Sequence, residues 1–333
     1  MDQTIENIAV VRLSAIGDVC HAMVVVAALQ KRYPTAQITW ITGPVEAQLV
    51  QLLPNVKVQV YDKKSGLGGM LALRKALAGI QFDVLLHLQW SLRASLLTKM
   101  VRAKCRIGFK KAYSREKQHW FVNEFGDEPR SPHVLDSFLA IAAKLGVTDL
   151  TLPLSLTLPD ESYGLPERYV VINPCASKVE RNWSIEGYQA VVDWCRNKGL
   201  HVVLTGGPSA SEKAIAEQLL AANVTNLVGQ TRLAEMLTVL KRATWVLSPD
   251  TGPAHMATLV GTPVVGLYAH SNPKRTGPYC DLDKVVSVYE QLAEKEYGKP
   301  VNDLPWASRV HAPDAMQHIS AEQVIAQLAL LSN

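Results

Sequence analysis

An acidic side chain stands where chemistry is possible, at the end of the segment Leu13–Asp18 (Leu-Ser-Ala-Ile-Gly-Asp). An apolar run gives way to a helical pattern there, and in open α/β sheets ligands bind outside the carboxyl ends of strands. Gly17 permits backbone conformations that most residues avoid, and the amino end of a helix favours an ionised carboxylate. Two interpretations of Asp18 remain open: a helix cap, or a general base that accepts a proton from a substrate hydroxyl.

The most specific motif is the segment Ser248–Ala257 (Ser-Pro-Asp-Thr-Gly-Pro-Ala-His-Met-Ala). It follows an apolar run and opens a helical pattern, so Thr251 and Gly252 present free backbone N–H groups and Pro253 suits the first helical turn. With the helix dipole, these groups make an anion site suited to a pyrophosphate. An ordinary capped turn is the alternative, but Asp, Thr, Gly and His within six residues favour a binding site.

Two further loops carry polar residues after apolar runs. The segment Asn173–Trp183 contains Lys178 and Arg181, which are either phosphate ligands or solvated loop cations, and an arginine can bind a phosphate through two hydrogen bonds. The segment Leu204–Glu212 contains two adjacent glycines that let a ligand approach the backbone closely. Glu212 can hydrogen-bond a ribose diol, although acids are common in first helical turns for electrostatic reasons alone.

Other functional classes find less support. Asp281 and Asp283 form a D-x-D with no histidine nearby, so we interpret them as loop acids and predict no metal and no cofactor. No G-x-G-x-x-G follows the first apolar run of either half, which argues against a dinucleotide oxidoreductase. The five cysteines are widely spaced and form no C-x-x-C pair, which is typical of a reducing cytoplasm. We expect neither a signal peptide nor a membrane span.

The elements that position these residues alternate between apolar runs and helical patterns. This alternation predicts parallel β-α-β units and a doubly wound sheet in each half, an α/β fold. Helices are predicted over Val19–Arg32, Ser209–Ala222, Leu233–Arg242 and Ser320–Leu331, the last with Ser320 as its N-cap. Strands are predicted over Ile8–Leu13, Gln37–Thr42, Val56–Tyr61, Phe82–Leu88, Tyr169–Asn173, His201–Thr205, Val224–Val228, Thr244–Leu247 and Pro263–Leu267.

The chain length of 333 residues exceeds what one hydrophobic core usually serves. The segment Leu150–Arg168, which is polar and contains three prolines and a glycine, is the best candidate for a domain join. We therefore predict two Rossmann-like domains, residues 1–160 and residues 161–333.

The net charge of +4 is unevenly distributed. Residues 1–157 carry 19 Lys and Arg against 12 Asp and Glu, a net charge of +7, and the remainder carries 15 against 18, a net charge of −3. The segment Arg93–Lys117 contains nine basic residues and one acid, Glu116. Such a run is usually a solvated face, and an anionic partner is the second interpretation. Nucleic acid is not expected, because the run does not alternate its cations with a series of aromatic side chains.

Two of the motifs occur together in a known family. Ser14–Val19 (Ser-Ala-Ile-Gly-Asp-Val), paired with Asp250–His255 (Asp-Thr-Gly-Pro-Ala-His), resembles the ADP-heptose:lipopolysaccharide heptosyltransferases, glycosyltransferase family 9. The spacing of the intervening Asn-Pro and Thr-Gly-Gly-Pro loops is similar too, so the resemblance covers nearly the whole chain. It implies the GT-B architecture, with an acceptor-binding N-terminal domain, an ADP-sugar-binding C-terminal domain and a cleft between them.

The resemblance also implies roles for individual residues. Asp18 would be the general base of an inverting, metal-independent transfer of heptose from ADP-heptose. The family's phosphate-binding lysine usually stands two residues before a tryptophan; Arg181 occupies that position here and a lysine lies earlier, so both cations remain candidates. The donor would be held by Lys178, Arg181, Glu212, Asp250, Thr251, Gly252 and His255. A Kdo-lipid A acceptor, which carries carboxylates and phosphates, would meet Lys63, Lys64, Arg93, Lys104, Arg106, Lys110 and Lys111.

Location and alternatives follow from the same resemblance. The basic N-terminal half would hold a cytoplasmic enzyme loosely on the inner face of the inner membrane without a span. The alternative enzyme is a later-core heptosyltransferase, or a related transferase that uses another nucleotide sugar. A non-catalytic nucleotide or sugar sensor is a third class, against which the retention of Asp18 argues.

Overall fold

The computed structural model describes residues 5–161 and 163–332. The chain divides into two compact units, Met1–Thr157 and Leu158–Asn333. The backbone N–H of Thr157 donates to Leu52 of the N-terminal unit. Two residues later, the Pro159 carbonyl accepts a hydrogen bond from Thr238 of the C-terminal unit at 2.8 Å. The contacts of the chain therefore change from one unit to the other within the predicted join.

The N-terminal unit alternates strands and helices from its first described residues. Its strands are β1 Asn7–Val11, β2 Gln37–Thr42, β3 Val56–Val60, β4 Phe82–His87, β5 Ala103–Gly108 and β6 Glu124–Phe125. Its helices are α1 Ile16–Arg32, α2 Ala47–Val50, α3 Gly66–Ala76, α4 Leu92–Thr98 and α5 Val134–Ala142. Among described residues, the strands form a six-stranded parallel sheet with the order β3-β2-β1-β4-β5-β6.

The C-terminal unit repeats this arrangement. Its strands are β7 Tyr169–Ile172, β8 His201–Leu204, β9 Val224–Asn226, β10 Val246–Pro249, β11 Val264–Tyr268 and β12 Val286–Ser287. Its helices are α6 Ile185–Asn197, α7 Ala210–Glu217, α8 Leu233–Arg242, α9 Gly252–Val260, α10 Pro273–Thr276, α11 Tyr289–Tyr297 and α12 Ala321–Ala329. The described strands form a parallel sheet of six with the order β12-β11-β10-β7-β8-β9.

Both sheets have the same topology, in which the first strand of the unit lies between the second and the fourth. The strand order reverses between β1 and β4, and again between β7 and β10. At such a switch point the loops that leave the two neighbouring strands turn to opposite faces of the sheet and open a crevice for a ligand. The loops after β1, β4, β7 and β10 are therefore the places to look for function.

The predicted fold class is confirmed, and each predicted strand overlaps an observed one. The largest shift concerns Thr244–Leu247, where the observed strand is Val246–Pro249. The sequence analysis missed β5, β6 and β12. In β5, Lys104 and Arg106 alternate with less polar residues, so the strand was hidden inside a basic run, and β6 and β12 are each two residues long.

Helices cover both faces of the N-terminal sheet. On one face α1 packs against α5. On the other face, Met70 and Leu73 of α3 share a hydrophobic core with Ala94 and Leu97 of α4, together with strand residues such as Val11. Coverage on both faces explains why the central strands are continuously apolar.

The C-terminal helix, whose packing the sequence did not reveal, belongs to the core of the C-terminal unit. The hydroxyl of Ser320 accepts from the Gln323 N–H at 3.3 Å, and the Gln323 side chain accepts from the Ser320 N–H at 3.1 Å, which forms the predicted capping box. Val324 and Leu328 are fully buried, and the helix packs against α6. No helix within residues 5–161 and 163–332 has the length and apolar character needed to cross a membrane.

Candidate functional site

The switch point of the N-terminal unit carries Asp18. Helix α1 begins at Ile16, and its N-cap is Ala15, which makes no side-chain capping bond, so Asp18 lies in the first turn without capping the helix. Its carboxylate instead accepts a hydrogen bond from the guanidinium of Arg12. The Asp18 side chain is 32% exposed. The cap interpretation is therefore wrong. Asp18 is instead an accessible carboxylate that is paired with Arg12.

Arg12 is the partner that the sequence analysis missed. It is 3% exposed, and one guanidinium nitrogen donates to the carbonyl oxygen of Leu88 at 2.6 Å. Its guanidinium carbon lies 5.3 Å from the ring centroid of Phe138, and burial lowers the pKa of the arginine. A buried charge requires a partner of opposite sign. An arginine inside the apolar run of residues 8–13 was the available signal for such a pair.

Side-chain hydrogen bonds fix the two loops of this switch point. The Gln89 side-chain oxygen accepts from the Leu13 N–H at 2.9 Å. The Gln118 amide, fully buried, donates to the carbonyl oxygens of His87 at 2.9 Å and of Gln89 at 3.2 Å. Burial, with a smaller contribution from the Arg12 charge, lowers the pKa of His87 to about 3, so this imidazole is neutral at physiological pH. These contacts hold the loops after β1 and β4 in one arrangement.

A cavity of about 650 Å³ opens beside these loops. Its walls include Ser14, three of the predicted acceptor-binding cations (Lys63, Lys64 and Arg93), and the carboxylate of Glu46. Burial raises the pKa of Glu46, while hydrogen bonding to its backbone and the charges of Lys63 and Arg12 oppose that shift. The carboxylates of Asp62 and Glu116 also line it, so the cavity combines three cations with three acids, and the sequence analysis did not single out Glu46.

The structure does not bring the other predicted acceptor-binding residues to this cavity. Lys104 pairs with Asp83 at 2.7 Å. Lys110 and Lys111 line a separate cavity of about 440 Å³, and Lys110 pairs with Glu128 there. The guanidinium of Arg106 donates to three main-chain carbonyls, those of Val101 at 2.7 Å, Ala103 at 3.0 Å and Thr98 at 3.4 Å. Arg106 thus ties the loop after α4 to β5, and the segment 93–117 is not one cationic face.

The switch point of the C-terminal unit lies at the amino end of α9. Thr251 is the N-cap residue, with no side-chain capping bond, and Gly252 and Pro253 follow in the first turn. The arrangement leaves backbone N–H groups at a positive helix end, which is the geometry of an anion site. His255 is buried within the same turn.

Asp250 precedes this helix and is neutralised within the protein. The carboxylate of Asp250 lies 3.2 Å from the guanidinium of Arg181 and accepts a hydrogen bond from the Ser271 hydroxyl. Arg181 also donates to the main-chain carbonyl of Asp250 at 3.0 Å. Lys178 is half exposed and lies 3.6 Å from Glu180. Of the two candidate phosphate cations, Arg181 is therefore engaged with the loop before α9, whereas Lys178 is half exposed and pairs only with the exposed Glu180 among described residues.

Glu212 lies in the first turn of α7, and its carboxylate faces the glycine-rich loop. It accepts hydrogen bonds from the Gly207 N–H at 2.9 Å and from the Ser209 hydroxyl at 2.5 Å. A Cβ atom on Gly207 would lie 2.8 Å from a Glu212 carboxylate oxygen, so a larger residue would displace this side chain. The glycine therefore permits the close approach of backbone and carboxylate.

The aspartates of the D-x-D sequence serve local structure. Asp281 accepts from the Val264 N–H at 3.2 Å and pairs with Lys284 at 3.0 Å, and Asp283 pairs with the same lysine at 3.2 Å. In the part of the chain that the structure describes, no group of three or more His, Cys, Asp and Glu side chains is arranged to hold a metal ion.

Comparison with solved structures shows the fold. The chain superposes on the glycosyl transferase family 9 structure from Veillonella parvula with a TM-score of 0.82, at 23% identity, over 100% of this chain and 98% of that one. It superposes on the Escherichia coli heptosyltransferase WaaC with ADP with a TM-score of 0.77, at 18% identity, over 98% and 99% of the two chains. These likenesses show the GT-B class of fold.

Comparison of sequences shows the family. The pattern of Glycosyltransferase family 9 (heptosyltransferase) matches residues 70–304. The chain is 42% identical to the lipopolysaccharide core heptosyltransferase OpsX of Haemophilus influenzae, over 98% of this chain and 97% of that protein. The match thus extends over both units, and the chain belongs to glycosyltransferase family 9, the heptosyltransferase family.

Proposed function

We propose that the protein is a lipopolysaccharide core heptosyltransferase that transfers heptose from ADP-L-glycero-D-manno-heptose to the Kdo region of the inner core, with inversion at the anomeric carbon. The observation that carries the proposal is the accessible Asp18 carboxylate at a switch point, held by a buried arginine. The similarity to OpsX supports the core heptosyltransferase activity.

In the proposed reaction, an acceptor hydroxyl oxygen forms the new bond to the anomeric carbon. The bond between that carbon and the β-phosphate oxygen breaks, and ADP leaves with the electron pair. The hydroxyl proton passes to the carboxylate of Asp18. Arg12 supports this role because its hydrogen bond holds the carboxylate in one orientation.

The donor diphosphate is proposed to bind at the amino end of α9, where Thr251 and Gly252 offer backbone N–H groups. Lys178 adds an exposed positive charge, while Arg181 and Asp250 hold the loop. His255 would complete the pocket, and Glu212 would accept hydrogen bonds from the ribose diol. Helix dipole and cations together stabilise the leaving diphosphate electrostatically, so we propose a reaction that requires no metal.

The acceptor is proposed to bind in the 650 Å³ cavity of the N-terminal unit. Lys63, Lys64 and Arg93 line it, and their charges suit the carboxylates and phosphates of a Kdo-lipid A acceptor. Such an acceptor is membrane-anchored, so we also propose a cytoplasmic enzyme with peripheral contact to the inner membrane.

ADP release by the purified protein, given ADP-heptose and Kdo-lipid A with and without a chelator, tests these proposals. Acceptor-dependent release that the chelator does not reduce supports the donor, the acceptor and the metal-independent mechanism. Tight ADP-heptose binding without turnover would redirect the proposal to a later core heptose. Loss of turnover with the chelator would refute metal independence.

The variant Asp18→Asn tests the base. We expect ADP-heptose binding to stay nearly intact, because Asp18 belongs to the N-terminal unit, and most turnover to be lost, since the amide cannot accept the proton. Near-normal turnover in this variant would refute the assignment. Nuclear magnetic resonance of the product, which distinguishes the two anomers, tests inversion independently.

A further inference from the structure

Two helices cover one face of the N-terminal sheet and share its core. Met70 and Leu73 of α3, with Ala94 and Leu97 of α4, are buried in the same hydrophobic cluster. The opposite surfaces of both helices therefore face solvent on the same side of this unit. We call this outer surface, formed by residues 63–75 and 91–99, the α3–α4 face.

The α3–α4 face exposes two pairs of leucines. Leu67 and Leu71 of α3 are 79% and 61% exposed, and Leu92 and Leu96 of α4 are each 45% exposed. Residues four apart lie one above the other on a helix surface, so each pair forms a continuous apolar ridge. Single exposed leucines need no explanation, but apolar ridges on neighbouring helices are typical of an interaction surface.

The same face is cationic. Residues 63–102 contain seven Lys and Arg residues and one acid, Asp83. Two carboxylates border the face: Asp62 accepts from the Lys64 N–H at 2.9 Å, and Glu116 accepts from the Leu92 N–H at 2.7 Å. Asp83 accepts hydrogen bonds from the main chain of Glu6 and Asn7 and pairs with Lys104, so its charge is neutralised within the sheet. Within the described part of the unit, no ion pair involves the exposed cations of the face. These cations are Lys63, Lys64, Arg74, Lys75, Arg93 and Lys99.

The face is continuous with the cavity proposed to bind the acceptor. Lys63 and Lys64, which precede α3, and Arg93, in the first turn of α4, line that cavity. Helices that follow parallel strands begin at the carboxyl edge of the sheet, so Leu67 and Leu92, also in the first turns, lie at the same edge. Docking through these leucines would therefore place the proposed acceptor cavity next to the docked surface.

We propose that the α3–α4 face docks on a bilayer surface that contains anionic lipids, with the leucines inserted at the headgroup boundary and the cations at the headgroups. That this bilayer is the one that carries the acceptor rests on the proposed function. Apolar insertion and basic attraction are the two signals that together give stable peripheral binding. A second copy of this chain is a poor occupant, because the cations would face each other across a twofold interface.

Co-sedimentation with vesicles that contain no acceptor tests the docking surface. We expect binding to vesicles of phosphatidylcholine with phosphatidylglycerol, and much weaker binding to phosphatidylcholine alone. The double variant Leu67→Gln/Leu71→Gln should bind the anionic vesicles about tenfold more weakly or worse, because each leucine that leaves water contributes up to about that factor. Arg74→Gln/Lys75→Gln should lose about fivefold per charge removed.

Matched leucine variants in the C-terminal unit provide the control. Leu220 is 49% exposed and Leu330 is 70% exposed, and Leu220→Gln/Leu330→Gln should leave vesicle binding unchanged. The Leu67→Gln/Leu71→Gln variant should also retain turnover with a water-soluble, deacylated acceptor and lose turnover with the acceptor embedded in vesicles. Retained turnover with the soluble acceptor shows that the variant is folded.

Three results would overturn the proposal. They are unchanged vesicle binding in the leucine variant, equal binding to vesicles with and without phosphatidylglycerol, and a dimer in analytical ultracentrifugation that the leucine variant dissociates. Failure of the proposed function is separable from these results, because vesicle binding is measured without donor or acceptor. A protein that binds anionic vesicles through this face but transfers no heptose would refute the activity and keep the surface.

Discussion

The variant Arg12→Met tests whether a buried arginine positions the proposed base. The substitution keeps an unbranched side chain beside Phe138 and removes the hydrogen bonds to Asp18 and to the Leu88 carbonyl. Removing one partner of a fully buried ion pair costs about 3–5 kcal/mol. Asp18 is 32% exposed, so water can solvate its carboxylate, and the desolvation penalty of Arg12 disappears. We therefore expect a loss of about 1–2 kcal/mol in the free energy of unfolding.

The effect on catalysis should be larger than the effect on stability. Without Arg12 the carboxylate can rotate, and a displacement of about 1 Å at a reacting group costs about 100-fold in rate. We expect kcat to fall about 10- to 100-fold, with ADP-heptose affinity unchanged because the donor residues belong to the C-terminal unit. Arg32→Met, at the exposed carboxyl end of α1, is the matched control and should change stability by less than about 0.5 kcal/mol.

Steady-state kinetics, isothermal titration with ADP-heptose and urea unfolding measure these quantities. The double variant Arg12→Met/Asp18→Asn separates positioning from general damage: if Arg12 acts through Asp18, the double variant should be no slower than Asp18→Asn alone. A folded Arg12→Met enzyme with normal kcat would refute the positioning role, and additive losses in the double variant would show that Arg12 acts by another route.

Three further predictions follow from the same structure. The pKa of His87 is lowered to about 3 by burial, so below the unfolded-state pKa the unfolded chain binds a proton that the folded chain does not. The free energy of unfolding should thus decrease as the pH is lowered, by about 2 kcal/mol from pH 7 to pH 5 from this residue. Urea unfolding of His87→Gln should lack that component, and an equal pH dependence in both proteins would contradict the assignment. Lys178→Ala should weaken ADP binding about tenfold or more at unchanged melting temperature, whereas Arg181→Ala should lower both the ADP affinity and the melting temperature, because Arg181 also holds Asp250. Calorimetry that finds the same pattern for both variants would refute these separate roles. Arg106→Gln should lower the melting temperature and leave the acceptor KM unchanged, since its guanidinium is hydrogen-bonded to carbonyl oxygens. A raised acceptor KM in a variant of normal stability would instead show that Arg106 binds the acceptor.

Local patterns predicted the strand-to-helix turns well. Pro253 after Thr-Gly located the start of α9, because that signal depends on residues close in the chain. The start of α1 was predicted three residues late, at Val19 instead of Ile16. Local sequence patterns could not predict the pairing of Arg12 with Asp18. It depends on β4 lying beside β1, which brings the Leu88 carbonyl to the arginine. The use of Arg106 by main-chain carbonyls was likewise invisible, because a charge run does not show which cations are already bonded.

Both switch points contain an aspartate paired with an arginine, but the two pairs differ in which partner is exposed. Each has an aspartate next to a helix amino end and an arginine paired with it, Asp18 with Arg12 and Asp250 with Arg181. In the C-terminal unit the aspartate side chain is only 11% exposed, and the pairing removes a negative charge that would repel a diphosphate at α9. In the N-terminal unit the arginine is the buried partner and the aspartate is 32% exposed. The same pair therefore leaves an anion site in one unit and an accessible carboxylate in the other, and only the second arrangement suits a general base.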